Sequence, residues 1–125
     1  MVNIILDTNF LLIPAQFGVD ILAEIGRVCD FPYTLVIIDR TVDELQAIAQ
    51  GTGKDASAAK VALALIDRYR FPQLPAAEDR VDDAILRTAA RGWIVGTQDR
   101  ELRDKLQAKG VQLLTMRGKS HLTIV

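Results

Sequence analysis

Four carboxylic acids stand where apolar segments of this chain end or helical segments begin: Asp7, Glu44, Asp82 and Asp99. In open α/β sheets, ligands bind at such strand ends. The chain has one histidine and one cysteine, which excludes an internal disulfide and leaves no His/Cys set for a zinc site. Clustered carboxylates repel one another without a cation, whereas Mg²⁺ and Mn²⁺ prefer oxygen ligands. The residue types therefore predict an acidic pocket for a divalent cation.

A cation in such a pocket can activate water, and a neighbouring cation can stabilise the departing oxygen during in-line cleavage of a phosphodiester. The charge distribution is compatible with a nucleic-acid substrate. Residues 1–53 carry 7 acids and 2 bases, whereas residues 54–125 carry 9 acids and 13 bases. A basic rim beside an acidic centre would suit a nucleic-acid enzyme, but ordinary helical surfaces show the same pattern. Taken alone, the charge asymmetry favours the ordinary helical surface.

Short apolar runs, most of them rich in β-branched residues, predict the strands that position these acids. The predicted strands are residues 2–6, 34–38, 93–95, 111–116 and 122–125. Helical spacing and capping residues predict helices over 18–29, from Thr41, over 54–69, over about 78–91 and from Asp99 to Gly110. Two prolines make residues 71–75 a break or a short edge segment. The alternation predicts an α/β three-layer sandwich, with a mostly parallel sheet of about five strands between helices.

Two of the acids also have structural interpretations. Thr41 can cap a helix whose third residue is Glu44, and a capping box would give Glu44 a purely structural role. The local sequence leaves both roles of Glu44 open. Asp99 is an ordinary candidate for a helix N-cap. Each acid alone is explained without function, but coincidence is a poor explanation for all four.

The adjacent acids Asp82 and Asp83 are separated by the geometry of the helix. Each residue advances the helix by about 100°, which puts Asp82 on the same apolar face as Ile85. Asp83 lies four positions before the charged Arg87 and shares its side of the helix. A carboxylate directed toward the core is costly unless it is paired or bound to a metal. Asp82 is therefore the predicted ligand and Asp83 the second choice.

Composition and length bound the domain organisation. Half of the 125 residues are hydrophobic and 25% are charged, so the chain can bury one sizeable core. We expect a single domain over residues 1–125. No apolar run reaches the ~18 residues of a membrane span, and the N-terminal run meets Asp7 instead of a cleavage pattern. We therefore expect a cytoplasmic protein without membrane contact.

Four segments resemble the motifs of the PIN-domain nucleases, in order and over nearly the whole chain. They are Leu6-Asp7-Thr8-Asn9, Asp43-Glu44-Leu45, Asp82-Asp83-Ala84-Ile85-Leu86 and Thr97-Gln98-Asp99-Arg100-Glu101-Leu102. The resemblance implies a PIN-like nuclease whose four acids form a site for Mg²⁺ or Mn²⁺. It also implies that Asn9 and Thr97 support the site through hydrogen bonds. The expected activity is that of a metal-dependent ribonuclease, cutting within RNA.

Basic residues are the expected contacts for the RNA backbone, through phosphates and without base specificity. The candidates are Lys54, Lys60, Arg80, Arg87 and Arg100. Within the family, two roles compete: the toxin of a toxin-antitoxin pair, with an antitoxin as partner, and ribosomal-RNA processing, with a ribosome-assembly partner. The Asp82-Asp83 doublet and the strand-like tail 117–125 look more like processing members. Homodimers are also expected from the resemblance, and Phe10, Phe17 and Trp93 are candidate interface residues, although core burial is favoured for them.

Other functional classes remain as alternatives. A catalytically silent PIN-like module would bind RNA or protein without cutting, but such a module is expected to have lost some of the acids. The strand ending in Asp7 also resembles the nucleophile strand of haloacid-dehalogenase-like phosphatases, which have a second Asp where this chain has Asn9. A phospho-receiver domain would need paired acids at the first strand end. The sequence therefore favours a nuclease over both phosphotransfer classes.

Overall fold

The structure is a computed structural model that describes all 125 residues, and its centre is one six-stranded sheet. The strands are β1 Val2–Leu6, β2 Tyr33–Ile38, β3 Gln73–Leu74, β4 Ile94–Gly96, β5 Gln112–Arg117 and β6 His121–Ile124. Their order is β3-β2-β1-β4-β5-β6, and every neighbouring pair is parallel except β5 and β6. The predicted mostly parallel sheet is confirmed. It has six strands, because the proline-flanked segment supplies the edge strand β3.

Six α-helices flank this sheet. They are α1 Ile13–Phe17, α2 Ile21–Val28, α3 Asp39–Ala49, α4 Gly53–Tyr69, α5 Val81–Thr88 and α6 Arg100–Ala108. One hydrophobic cluster of 20 buried residues joins one sheet face to α1, α2, α3 and α4, and a second cluster of 13 joins the other face to α5 and α6. Ile4 and Ile5 of β1 belong to different clusters, as alternation along a strand requires. The α/β three-layer sandwich is confirmed. No helix has the length and apolar character of a membrane span.

The helix expected from Thr41 begins two residues earlier. Helix α3 follows β2 without a loop: Ile38 is its extended N-cap residue and Asp39 its first helical residue. Thr41 is a fully buried residue inside the helix, and its hydroxyl has no hydrogen-bond partner. The predicted capping box is therefore wrong, because Glu44 is not the third residue of this helix. Its carboxylate is free for another contact.

The segment between β1 and α2 also differs from the prediction. Phe10–Leu12 forms a 3₁₀ helix that leads into α1, and sequence patterning had given this segment no structure. Helix α2 begins at Ile21 and not at residue 18, because the Asp20 carboxylate accepts a hydrogen bond from the backbone N–H of Ala23 at 3.1 Å. Gly18, with φ of 67°, ends α1 instead.

Helix α5 is shorter than the expected span of about 78–91. Ala77 has φ of 56° and Arg80 is extended, so residues before Val81 form a turn. Ala89 is extended with ψ of 136° and ends the helix three residues before Gly92. The predicted apolar face is nevertheless present, because Val81, Ile85 and Ala89 are all buried.

The outer edge of β6 is covered by side chains of α2. The backbone N–H of Leu122 donates to Glu24 Oε1 at 2.9 Å, and Arg27 Nη2 donates to the Leu122 carbonyl at 3.0 Å. Glu24 and Arg27 also hold each other through two contacts of 2.9 Å. The pair thus occupies backbone groups that an added strand would need.

Candidate active site

Asp7 lies at the centre of the sheet edge where the parallel strands end. It follows β1 directly, and its backbone N–H donates to the carbonyl of Gly96, the last residue of β4, at 2.9 Å. The register of the two strands pairs Leu6 with Gly96, so the loops after β1 and β4 start side by side. Asp7 is only 6% exposed. The fold therefore holds this carboxylate in a fixed position at the end of two adjacent strands.

Hydrogen bonds from both loops orient the Asp7 carboxylate. Oδ1 accepts from the backbone N–H of Thr8 at 2.8 Å, and Oδ2 accepts from the hydroxyl of the fully buried Thr97 at 2.8 Å. Asn9 joins the same loops: its Oδ1 accepts from the backbone N–H of Gln98 at 2.9 Å, and its carbonyl accepts from Gln98 Nε2 at 2.8 Å. Asn9 and Thr97 thus lie next to Asp7, where the resemblance put its supporting residues.

Glu44 approaches the same place from helix α3. The Thr8 hydroxyl donates a hydrogen bond to Glu44 Oε1, across 36 positions of sequence. This contact, in place of the predicted capping box, links Glu44 to the loop after β1. Sequence reasoning did not single out Thr8 as a site residue. Its position between Asp7 and Asn9 in the first motif was the available signal.

Asp99 is the N-cap of α6, as predicted. Its Oδ1 accepts from the backbone N–H of Leu102 at 3.3 Å, and its own N–H donates to the hydroxyl of Thr97 at 3.1 Å. Thr97 therefore contacts both Asp7 and the start of α6. Asp99 caps its helix with one carboxylate oxygen and still lines the cleft described next. The structural and functional interpretations of Asp99 are compatible.

Asp7, Glu44, Asp82 and Asp99 all line one cleft of about 250 Å³. The complete lining is Asp7, Thr8, Asn9, Leu12, Glu44, Ile48, Arg80, Val81, Asp82 and Asp99. Asp82 is half-buried, as the helical arithmetic predicted, whereas Asp83 is exposed and lines a smaller groove next to the cleft. Arg80 Nε lies 3.9 Å from Asp82 Oδ1 at the rim of the cleft.

The surroundings of Asp7 disfavour its negative charge. Burial is the main cause and raises the pKa of Asp7 from 3.8 to about 6. The hydrogen bonds from Thr97 and Thr8 act in the opposite direction and lower this pKa. The nearby charges of Glu44 and Asp99 raise it further. A cation in the cleft would relieve both the burial cost and the repulsion.

The donor set fits an oxygen-preferring cation, although it is not arranged as a finished metal site. All four acids of the cleft are carboxylates, and the hard ions Mg²⁺ and Mn²⁺ take such ligands together with water. Burial is the main cause of the raised pKa of Asp7, and the charges of Glu44 and Asp99 add to it, so a cation would favour the ionised carboxylate. However, no three His, Cys, Asp or Glu side chains are grouped closely enough to hold one ion. The structure thus brings the predicted acids to one cleft without forming a coordination shell.

Of the five basic residues expected to contact RNA, only Arg80 lines this cleft. Arg87 is engaged elsewhere: its Nε lies 2.7 Å from Asp79 Oδ2, and its Nη2 donates to two carbonyls. Lys54 lines a separate cavity of about 680 Å³ between α1 and α4. Lys60 and Arg100 are exposed. Contact of these residues with RNA stays a prediction.

A family model described as a PIN like domain matches residues 4–119. The chain belongs to this PIN-like family. Ribonuclease VapC4 of Methanocaldococcus jannaschii is similar to the chain, with 30% identity over 129 residues, covering 99% of this chain and 97% of the relative. The solved structure of the PIN domain endonuclease Utp24 has the same fold, with a TM-score of 0.80 at 21% identity, over 98% of this chain and 90% of that one. The resemblance found in the sequence motifs is confirmed.

Proposed function

We propose that this PIN-like protein is a metal-dependent ribonuclease that cuts within RNA chains. The single observation that carries the proposal is the cleft in which Asp7, Glu44, Asp82 and Asp99 meet at the carboxyl edge of the parallel sheet. The similarity to a protein named as a ribonuclease supports RNA as the substrate. A cleft without histidine or cysteine suits phosphodiester hydrolysis assisted by Mg²⁺ or Mn²⁺.

Each acid has a distinct place in the proposed site. Asp7 and Asp99 are the proposed principal ligands, because Thr97 binds to both and fixes their relative position. Glu44 and Asp82 complete the pocket from α3 and α5. When bound, the cation supplies charge neutralisation and activation of water. The chain itself holds the carboxylates in place through Thr8, Asn9, Thr97 and Gln98.

Arg80 is the proposed contact for the phosphate beside the cleavage position. Its side chain is 83% exposed, and its only ion pair is the 3.9 Å contact with Asp82. A guanidinium presents several donors to phosphate oxygens, so it can exchange a weak surface contact for a bidentate one. At the rim of an acidic cleft, such a positive group reduces repulsion between the carboxylates and the incoming RNA.

The test is cleavage of labelled single-stranded RNA by the purified protein with Mg²⁺, with Mn²⁺ and with chelator. We expect internal cuts that need a divalent cation and disappear in Asp7→Asn. The matched control is Asp104→Asn, which removes the same charge from an exposed position of α6. It controls for nonspecific effects of losing one charge, whereas Asp7→Asn itself guards against contaminating nuclease. Equal cutting by Asp7→Asn, or no cutting with either metal, would contradict the proposal.

A protein that binds RNA without cutting under any metal condition would belong to the alternative class, the catalytically silent PIN-like binding module. For an active ribonuclease, induced expression in a bacterial host distinguishes the two biological roles. Growth arrest that requires Asp7 supports the toxin, for which a small antitoxin would be the partner. Altered ribosomal-RNA precursors without growth arrest support processing together with ribosome-assembly factors. Both roles require the same hydrolysis at the acidic cleft.

A further inference from the structure

A second charged cavity lies at the end of the β5–β6 hairpin, outside the acidic cleft. It measures about 290 Å³ and is lined by Arg27, Arg117 and His121, with no acid in its lining. Arg117 ends β5 and His121 begins β6, and the antiparallel register pairs these two residues directly. Arg27 reaches the cavity from α2. We call this cavity the basic pocket.

The charges of the basic pocket are only partly compensated within the chain. Glu24 forms two contacts of 2.9 Å with Arg27, and its Oε1 also lies 3.3 Å from Nδ1 of His121. Arg117 takes part in none of the ion pairs of the chain. Arg117 and His121 are directly opposed on neighbouring strands, so the guanidinium and the imidazole ring line the same small cavity and can both donate hydrogen bonds into it. An anion in the pocket would accept these hydrogen bonds and offset the charge of Arg117.

The basic pocket opens at the same edge of the sheet as the acidic cleft. Strands β1, β4 and β5 are parallel, so Asp7 and Arg117 both lie at carboxyl ends. Three strand spacings separate β1 from β6, which is about 14 Å at the usual spacing of about 4.8 Å. An extended RNA strand that crosses this edge would run from the acidic cleft toward the basic pocket. A pocket of this charge would hold a backbone phosphate and exert no selection on the base.

We propose that the basic pocket of Arg27, Arg117 and His121 binds a phosphate of the RNA substrate, away from the phosphate that is cleaved. This proposal rests on the proposed function, because it takes RNA as the occupant of the adjacent cleft. Arg117 makes the direct contact, since its guanidinium has no partner in the chain. Arg27 contributes positive charge to the pocket from a fixed orientation, because its guanidinium is held by Glu24 and by the Leu122 carbonyl.

The experiment measures RNA binding in the Asp7→Asn background, with constant Mg²⁺ and increasing monovalent salt. Arg117→Gln is the test variant, and the control is Arg68→Gln, which removes an exposed guanidinium near the end of α4 outside both pockets. Loss of one phosphate contact lowers the salt slope for a single strand by about 0.7, which corresponds to about fourfold weaker binding at ~0.15 M salt. We expect this change in Arg117→Gln and no change in Arg68→Gln. Equal slopes in the two variants would overturn the proposal.

A second readout is local to the basic pocket. His121 is the only histidine of the chain, so its ring signals in an NMR spectrum are unambiguous. Adding a dodecanucleotide should shift these signals, and the shift should shrink in Arg117→Gln. If polyglutamate shifts the ring signals and RNA does not, the pocket serves an acidic protein and the proposal is wrong. Because binding in this background needs no cutting, the assay separates failure of the pocket from failure of the ribonuclease activity.

Discussion

Replacing Asp7 with asparagine should stabilise the fold whenever no divalent cation is present. The carboxylate is 6% exposed and faces the charges of Glu44 and Asp99, so its ionised form is disfavoured in the folded chain. Asparagine has nearly the same shape and carries no charge. Its side-chain oxygen can still accept a hydrogen bond from the Thr8 N–H, and its side-chain NH₂ group can donate a hydrogen bond to the Thr97 hydroxyl. The substitution therefore removes the charge while keeping two hydrogen bonds.

The magnitude follows from the shift in pKa between the unfolded and folded chain. The pKa of Asp7 rises from 3.8 to about 6, and each unit corresponds to about 1.4 kcal/mol. A raised pKa means that the folded chain binds the proton more tightly than the unfolded chain. The free energy of unfolding therefore falls as the pH rises from about 4 to about 6, by up to about 3 kcal/mol. The asparagine variant does not undergo this loss.

The assay is urea unfolding in the presence of chelator, at pH 7.5 and at pH 3.5. At the higher pH, the free energy of unfolding of Asp7→Asn should exceed that of the unchanged chain by up to about 3 kcal/mol. The difference should nearly vanish at the lower pH. The free energy of unfolding of the exposed control Asp104→Asn should differ from that of the unchanged chain by less than about 0.5 kcal/mol at the higher pH. A variant that is equally or less stable than the unchanged chain at pH 7.5 would refute the reasoning. It would mean that the hydrogen bonds from Thr8 and Thr97 outweigh the cost of burial.

A divalent cation should reverse the order of stabilities. Mg²⁺ or Mn²⁺ that binds only the folded chain raises its free energy of unfolding by mass action, by about 2.7 kcal/mol at a hundred times the Kd and by about 4.1 kcal/mol at a thousand times the Kd. Only the larger gain exceeds the advantage of Asp7→Asn, so the reversal is expected near a thousand times the Kd. The unchanged chain should gain this stability and Asp7→Asn should gain little. Equal stabilisation of both proteins by the cation would show that the ion binds elsewhere.

Three further predictions concern single side chains. Gly96→Ala should lower the free energy of unfolding by about 1–3 kcal/mol, measured in urea, because the added Cβ would lie 3.1 Å from the buried Phe10 ring; an unchanged stability would show that the ring can move. Thr8→Ala should lower kcat/KM for RNA about tenfold, because Glu44 loses its hydrogen bond, and Thr8→Ser should keep most of the activity of the unchanged chain. Equal kcat/KM values for Thr8→Ala and the unchanged chain would show that Thr8 has no positioning role. Glu24→Gln should have a lower free energy of unfolding than the unchanged chain above pH 4.5, and the two values should converge as the pH falls toward 2. The reason is that Glu24 accepts hydrogen bonds from Arg27 and from the Leu122 N–H, which lower its pKa from 4.5 to about 2. Parallel pH profiles of the free energy of unfolding would contradict this.

The fold was largely predictable because its strands carry a strong local signal. Buried parallel strands need continuous apolar runs, and residues 2–6 and 34–38 could be assigned from such runs with little ambiguity. The 3₁₀ helix and α1 were missed because Phe10–Leu12 packs as an apolar cluster with no helical period of its own. Helix boundaries were wrong where backbone conformation decides them, as at Ala77 and Ala89.

That the four acids lie around one cleft was predictable from the sequence, whereas the contacts that hold them there were not. The ends of predicted strands and the starts of predicted helices indicate the acids, and helical periodicity places Asp82 and Asp83 on different faces of their helix. The hydrogen bond from Thr8 to Glu44 joins residues 36 positions apart, and no local pattern encodes such a pairing. The capping box assigned to Glu44 failed for the same reason: local sequence offered Thr41 as a cap, and packing buried it instead. Long-range polar contacts have to be observed.

The contact between Asp7 and Thr97 also constrains when the protein can become active. The two residues are separated by 90 positions, and β1, the first of the six strands along this sequence, lies between β2 and β4. A nascent chain that stops before β4 has no partner for one side of β1 and no hydroxyl for the Asp7 carboxylate. Contacts so distant in sequence form slowly and late during folding. We therefore expect that the acidic cleft is complete only after β4 and Thr97 have been synthesised, so that a nascent chain beside its own messenger RNA lacks the full site.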